Sequence, residues 1–209
     1  MKIIHRKLVQ KTMFIAGLAL VFSNTAFAED KKKKPELMTG ASTTMLANTC
    51  AGCHGGNGAS MGPSIPTLAG LSSAYFVEIM EAYKADEVPS TIMGRLAKGY
   101  STAEFEQMGE YFAKQKFVAA KQDSDPAKAE KGAAIHEKYC EKCHSEGGSL
   151  AEDDSGILKG QWKSYLSAQM MDFHNKDRKA PKKMAKKMKT MLNKEGSAGA
   201  EALVEFYSK

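Results

Sequence analysis

All four cysteines of the chain fall in two pentapeptides, Cys50-Ala51-Gly52-Cys53-His54 and Cys140-Glu141-Lys142-Cys143-His144. Two thiols separated by two residues and followed at once by a histidine suit the covalent attachment of c-type haem. The sulfurs form thioethers with the porphyrin vinyl groups, and the histidine reaches the iron from the same side. A four-cysteine zinc site and a pair of disulfides use the same residues, but neither needs a histidine directly after each pair. The pattern therefore predicts two covalently bound haem c groups. Cys50, Cys53, Cys140 and Cys143 are the tethers, and His54 and His144 are axial ligands of the iron.

An electron-transfer haem needs a second axial ligand, and methionine thioether is a soft donor that raises the potential. Met93 lies 39 residues after His54, and Met184 lies 40 after His144. The matched spacing makes these the expected sixth ligands. The chain has 13 methionines, and most at helical spacing fill cores. Met184, Met188 and Met191 share one helical face, so Met188 stays open as an alternative. His174 also competes, although its place at a helix end reads as an exposed histidine. His136, one turn before Cys140, reads as a surface residue.

The elements that must position these groups are helical. Ala41, Met45, Leu46 and Cys50 follow a helical period into the first motif. The glycines and prolines from Gly55 to Gly70 end it in a loop, where Pro63 is placed to offer a carbonyl to His54. Ser72 and Ser73 cap a helix through Tyr75, Phe76, Ile79, Met80 and Tyr83. Met93 falls in a connecting segment, Asp86 to Gly99. Ser101-Thr102-Ala103-Glu104 is a capping box opening a helix that ends near Lys116. Residues 118–126 read as a linker, with Asp125 as cap and Pro126 as first residue of the next helix.

The plan then repeats. A shift of 90 carries Cys50, Cys53 and His54 onto Cys140, Cys143 and His144, Gly70 onto Gly160, Tyr75 onto Tyr165 and Met80 onto Met170. It becomes 91 between Met93 and Met184, and 95 between Met108 and Leu203. One register held this far predicts a duplicated domain, 37–117 and 127–209. The second loop has no proline and carries Glu152-Asp153-Asp154, so the two sites are expected to differ.

Residues 1–28 form a basic start, an apolar run and an Ala26-Phe27-Ala28 cleavage pattern, and read as a signal peptide removed near Ala28. Residues 29–36 read as a flexible lysine-rich tail. Export agrees with the haem motifs and places the mature chain in the periplasm, with no transmembrane segment. The formal charge of +6 falls to +2 once the four basic residues of the leader are removed, which argues against nucleic acid as a partner. Lys176 to Lys194 holds nine basic residues against Asp177, a patch around Met184 suited to steering an acidic redox partner.

Ser90-Thr91-Ile92-Met93-Gly94-Arg95-Leu96-Ala97-Lys98-Gly99-Tyr100-Ser101-Thr102 resembles a sixth-ligand segment of the diheme cytochrome subunit of flavocytochrome c sulfide dehydrogenase. Lys138 to His144 with Glu146-Gly147-Gly148, Gly160-Gln161-Trp162 and Lys182-Lys183-Met184-Ala185 are similar to the same family. The resemblance spans residues 37 to 208. It implies an all-α chain of two tandem cytochrome c-like domains, each built around one covalent haem, with Met93 and Met184 as sixth ligands. It further implies a noncatalytic electron-transfer subunit. FAD sits on a separate flavoprotein that oxidises sulfide, and the electrons move on to a downstream carrier. This chain has no strand followed by GxGxxG for FAD, and no cysteine left over to attack sulfide. A free-standing diheme shuttle to a terminal oxidase shares the domain plan. A haem enzyme such as a peroxidase would instead leave one iron open.

Overall fold

The apolar residues of the chain gather into two separate cores. One is built on Leu46, Phe76, Met80, Phe105, Met108 and Phe112. The other is built on Ile135, Leu166, Met191, Leu203, Val204 and Tyr207. The computed structural model describes residues 40–152 and 154–209, which lie in one unit, Pro35–Lys209. The expected leader and lysine tail lie outside the described residues.

Helices surround both cores, and no strand occurs among the described residues. In the first lobe α1 (Thr43–Asn48) is capped by Ser42, whose hydroxyl accepts the Met45 N–H at 3.3 Å. The Thr49 hydroxyl then donates to the Leu46 carbonyl at 2.6 Å, and the chain restarts as α2 (Ala51–His54). The single helix expected to carry the motif is thus two short pieces. Ser72 caps α3 (Ser73–Lys84). Met93 opens a short helix of its own, α4 (Met93–Ala97), where the sequence suggested only a connection. The capping box of Ser101 and Glu104 starts α5 (Thr102–Ala113), which stops before the expected Lys116.

Asp125 caps α6 (Pro126–Tyr139), with Pro126 in the first turn where its missing N–H costs nothing. A short turn of helix, α7 (Ser145–Gly148), follows the second motif. The second lobe is completed by α8 (Lys163–Asn175) and α9 (Lys182–Tyr207).

The duplication is written in the backbone. Left-handed residues recur at the same shift of 90: Asn57 and Gly147, Gly58 and Gly148, Gly70 and Gly160, Asp86 and Lys176. The N–H of Leu68 and of Leu158 each donates at 2.8 Å, to Gly58 and Gly148 respectively. Gly70 donates to Phe112 at 2.8 Å, and Gly160 to Tyr207 at 2.6 Å. The four residues by which the register slips, from 91 to 95, amount to about one helical turn. They lengthen the first half of α9, which breaks at Gly196 (φ 66°, ψ −165°), the counterpart of Ser101. In the first lobe Thr102 bonds Glu81 at 2.6 Å and Lys84 reaches the Tyr100 carbonyl, closing α3 on α5. In the second, α8 and α9 leave an apolar cavity of about 460 Å³ between Met170, Met171, Leu192 and Val204.

The lobes meet through Phe117. A Cβ on Gly70 would lie 3.2 Å from the Phe117 Cβ, and one on Gly160 would lie 2.7 Å from the Phe117 ring. Both equivalent glycines therefore face the same side chain. The connecting segment is stitched to the second lobe: Ala120 N–H donates to the Gly160 carbonyl at 2.8 Å, and Gln122 Nε2 to the Gln161 carbonyl at 2.7 Å.

Candidate haem-binding sites

In the first lobe the motif winds so that the His54 N–H donates to the Cys50 carbonyl at 2.9 Å. Cys50 is half-buried and Cys53 exposed. Cys50 and Met93 both pack on the first core. Burial pushes the Cys50 thiol up, against the Thr49 hydroxyl. It pushes the His54 imidazole down, which outweighs the opposing bond to Pro66. A neutral ring is the form that ligates a metal. His54 Nδ1 lies 2.8 Å from the Pro66 carbonyl, so it donates there and Nε2 is left with its lone pair free. The carbonyl is that of Pro66, not Pro63 as the sequence suggested. The residue that buries against the loop is Thr67, and it carries the preceding carbonyl inward.

The second motif differs. His144 N–H still donates to the Cys140 carbonyl, at 3.0 Å. Here the residues after Cys140 form a turn instead of a helix, and His144 precedes α7 with φ −125°. His144 Nδ1 is buried and has no hydrogen-bond partner among the described residues. Burial pushes the ring down, helped by His136 and opposed by Asp154. The counterpart of Pro66 is Gly156, which instead lies against the Tyr75 ring of the other lobe. Met191 is taken by the core, at 2% exposure. Met188 and Met184 sit about one and two turns nearer the start of α9, both half-buried. His174 is exposed, as expected.

His136 is not on the surface. At 2% exposure it sits between α6 and α9, with Nδ1 2.7 Å from the Tyr207 hydroxyl and Nε2 2.5 Å from Glu141. The small residues around it, Gly132 and Ala202, let the helices close over it, a signal that the periodicity alone does not carry. Arg178 also leaves the expected basic patch. Its guanidinium turns inward, bonded to Tyr75, Tyr165 and Gln169 and stacked 4.8 Å over the Phe173 ring. It joins phenols of both lobes.

The donor set fits haem c. The four cysteines are unpaired, and no three metal-ligating side chains come together among the described residues to make a zinc cluster. Each motif instead offers two free thiols beside one imidazole, buried at His54 and half-buried at His144, and Ile92 and Leu96, beside Met93, leave apolar surface open at 43% and 46% exposure.

Two helical lobes, each with one C-x-x-C-H motif, define a c-type cytochrome. The cytochrome c family model matches residues 40–116. The chain is 37% identical over 91 residues to the cytochrome subunit of sulfide dehydrogenase of Chlorobaculum tepidum, covering 44% of this chain and 80% of that one. It is 31% identical over 136 residues to cytochrome c4 of Pseudomonas aeruginosa, covering 61% of this chain and 67% of the relative. The crystal structure of reduced recombinant cytochrome c4 from Pseudomonas stutzeri superposes with a TM-score of 0.67 at 24% identity, over 80% of this chain and 98% of that one. The chain belongs to the cytochrome c family. It is a diheme cytochrome that carries covalent haem c and transfers electrons.

Proposed function

We propose that this chain is the electron-transfer subunit of a sulfide:cytochrome c oxidoreductase. It accepts electrons from an FAD-containing sulfide dehydrogenase subunit and passes them to a downstream carrier. The observation that carries the reading is the 37% identity over most of the length of a sulfide dehydrogenase cytochrome subunit. The mature chain acts in the periplasm after cleavage near Ala28, as domains 37–117 and 127–209 joined by 118–126. No helix among the described residues is long and apolar enough to cross a membrane.

Haem supplies a one-electron couple at each site. Cys50, Cys53, Cys140 and Cys143 would hold the haems covalently, and His54, His144, Met93 and Met184 would ligate the irons, a donor set that suits electron transfer rather than catalysis. The protein's part is to set potential, distance and docking.

Exposed Lys182, Lys183, Lys186, Lys187 and Lys189 make no ion pair among the described residues and border Met184. The segment 127–209 carries sixteen basic and twelve acidic residues, against five and seven in 37–117. This asymmetry supports docking of an acidic partner on the second lobe.

The test is to isolate the mature protein from its native host. A bound FAD protein and sulfide-dependent reduction of the haems are expected. The likeness to cytochrome c4, which extends over both lobes, favours a second reading, a free-standing shuttle to a terminal oxidase. A monomer that exchanges electrons rapidly with an oxidase and ignores sulfide would establish that reading instead.

A further inference from the structure

Two pairs of side chains related by the duplication converge on one arginine. Tyr75 and Tyr165 stand at the shift of 90, and so do Tyr83 and Phe173. The Arg178 guanidinium bonds both phenols of the first pair, one from each lobe. It stacks 4.8 Å over the Phe173 ring, and its charge acts on the Tyr83 hydroxyl. Gln169 Oε1 accepts a further N–H from it. Arg178 therefore lies at the seam where the two copies face each other. It has no equal in the repeat, since the shifts of 90 and 91 place Val88 or Glu87 at its counterpart.

The charge at this seam is unbalanced. Arg178 is half-buried, and no ion pair among the described residues includes it. The Asp172 carbonyl accepts the Arg178 backbone N–H at 3.1 Å, while the Asp172 carboxylate acts on Tyr83. Phenol oxygens satisfy the donors of a guanidinium but do not cancel its charge. That charge is permanent, because a guanidinium keeps its proton across the whole physiological range. Both haem-binding cores are one side chain away. Tyr83 packs on the first core, as Cys50 and Met93 do. Tyr165 packs on the second, as Cys140 does.

We propose that Arg178 is a positioning residue for electron exchange between the two haems. It clamps the lobes together through their phenols, and its charge favours the ferrous state of both irons. In the exchange one electron leaves the ferrous iron of one lobe and reaches the ferric iron of the other, and no proton moves. Ferric iron carries one more positive charge than ferrous, so a fixed cation nearby disfavours it. A cation at the seam does this at both sites. The two potentials rise together, and the driving force between the haems stays small. The planar fork of donors holds two hydroxyls at once, which an ammonium on a flexible stem does not. The inference rests on the reading of this chain as a diheme electron carrier.

The experiment compares three variants of the holoprotein with the wild type. Each haem's potential is followed by its own NMR methyl resonances, and the rate of exchange between the haems is read from the same resonances in half-reduced samples. Arg178→Gln removes the charge and should lower both potentials and slow the exchange several-fold. Arg178→Lys keeps the charge but not the fork. It should slow the exchange while both potentials stay near wild type. Tyr75→Phe removes only the first lobe's hydroxyl and should do the same, so the exchange prediction is tested even where Arg178→Gln does not fold. Arg178 belongs to the second lobe, and a merely structural role there would move the second haem alone. An unchanged first potential in Arg178→Gln therefore overturns the proposal. So does an equal loss of potential in Arg178→Lys and Arg178→Gln, or wild-type exchange in Arg178→Lys and Tyr75→Phe. Failure of the diheme reading would show separately, as a wild-type mass lacking two haem additions.

Discussion

Gln161 of the second lobe and Thr67 of the first hold each other by two hydrogen bonds. The Thr67 N–H donates to Gln161 Oε1 at 2.9 Å, and Gln161 Nε2 donates to the Thr67 carbonyl at 3.0 Å. Both residues are buried, at 2% and 0% exposure. A side-chain amide here does for the interface what a strand partner does in a sheet. It satisfies backbone groups of the loop that also presents the Pro66 carbonyl to His54. Gln161→Leu leaves both Thr67 groups unpaired and is expected to cost about 1–3 kcal/mol. Denaturant unfolding followed separately at each haem should show the two transitions drawing apart.

The first haem should have the lower potential as far as its histidine decides it. The His54 ring donates to Pro66 at 2.8 Å, while His144 Nδ1 has no acceptor among the described residues. A hydrogen-bonded imidazole is the stronger donor and stabilises ferric iron. Spectroelectrochemistry with resonances assigned to each haem checks the order.

Met184 and Met188 can be told apart by substitution. Met184→Ala should remove about half of the methionine–sulfur band at the red end of the ferric spectrum, one haem of two, and Met188→Ala should leave it whole. Met93→Ala should remove the other half.

Gly132 sits where α6 crosses α9, and a Cβ there would lie 2.0 Å from the Ala202 carbonyl oxygen. Backbone cannot step aside as a side chain can. Gly132→Ala should therefore cost at least about 1–3 kcal/mol in thermal or denaturant unfolding, and disturb the second haem before the first.

Asp125 accepts the N–H groups of Ala127 and Lys128 at 2.9 and 3.1 Å. The Lys128 N–H, foremost, holds its carboxyl below the usual carboxylate range. A carboxyl depressed in the folded state stabilises at pH above its unfolded value, and that contribution disappears as pH falls through the folded one. Asp125→Ala should thus melt below the wild type at neutral pH. The difference should vanish in acid, as paired thermal melts would show.

Charge reversal at Lys186 and Lys187 should slow association with an acidic flavoprotein at low ionic strength. The deficit should disappear in high salt, as stopped-flow reduction measured against ionic strength would reveal.

Much of this was legible because haem attachment is local chemistry. Five adjacent residues declare it, and a helix start such as Ser101 or Asp125 depends only on its next three neighbours. What went astray depended on distant residues. Pro66 displaces Pro63 because the loop is pinned through Thr67 by Gln161, 94 positions away. The sequence places His136 on the surface because one turn of α6 cannot reveal Tyr207, 71 positions on. It groups Arg178 with the surface lysines because its phenolic partner Tyr75 belongs to the other lobe.

By itself the sequence determined the doubled haem motif, the helical class and the register of the repeat, since each is carried by residue type and spacing along the chain. Only the tertiary structure decided how the two copies differ. One imidazole gains a carbonyl and the other none among the described residues, one core stays apolar, and the other encloses His136. The reason is that burial and hydrogen-bond partnership are set by which distant segments close over a residue, and the repeat leaves those segments unequal.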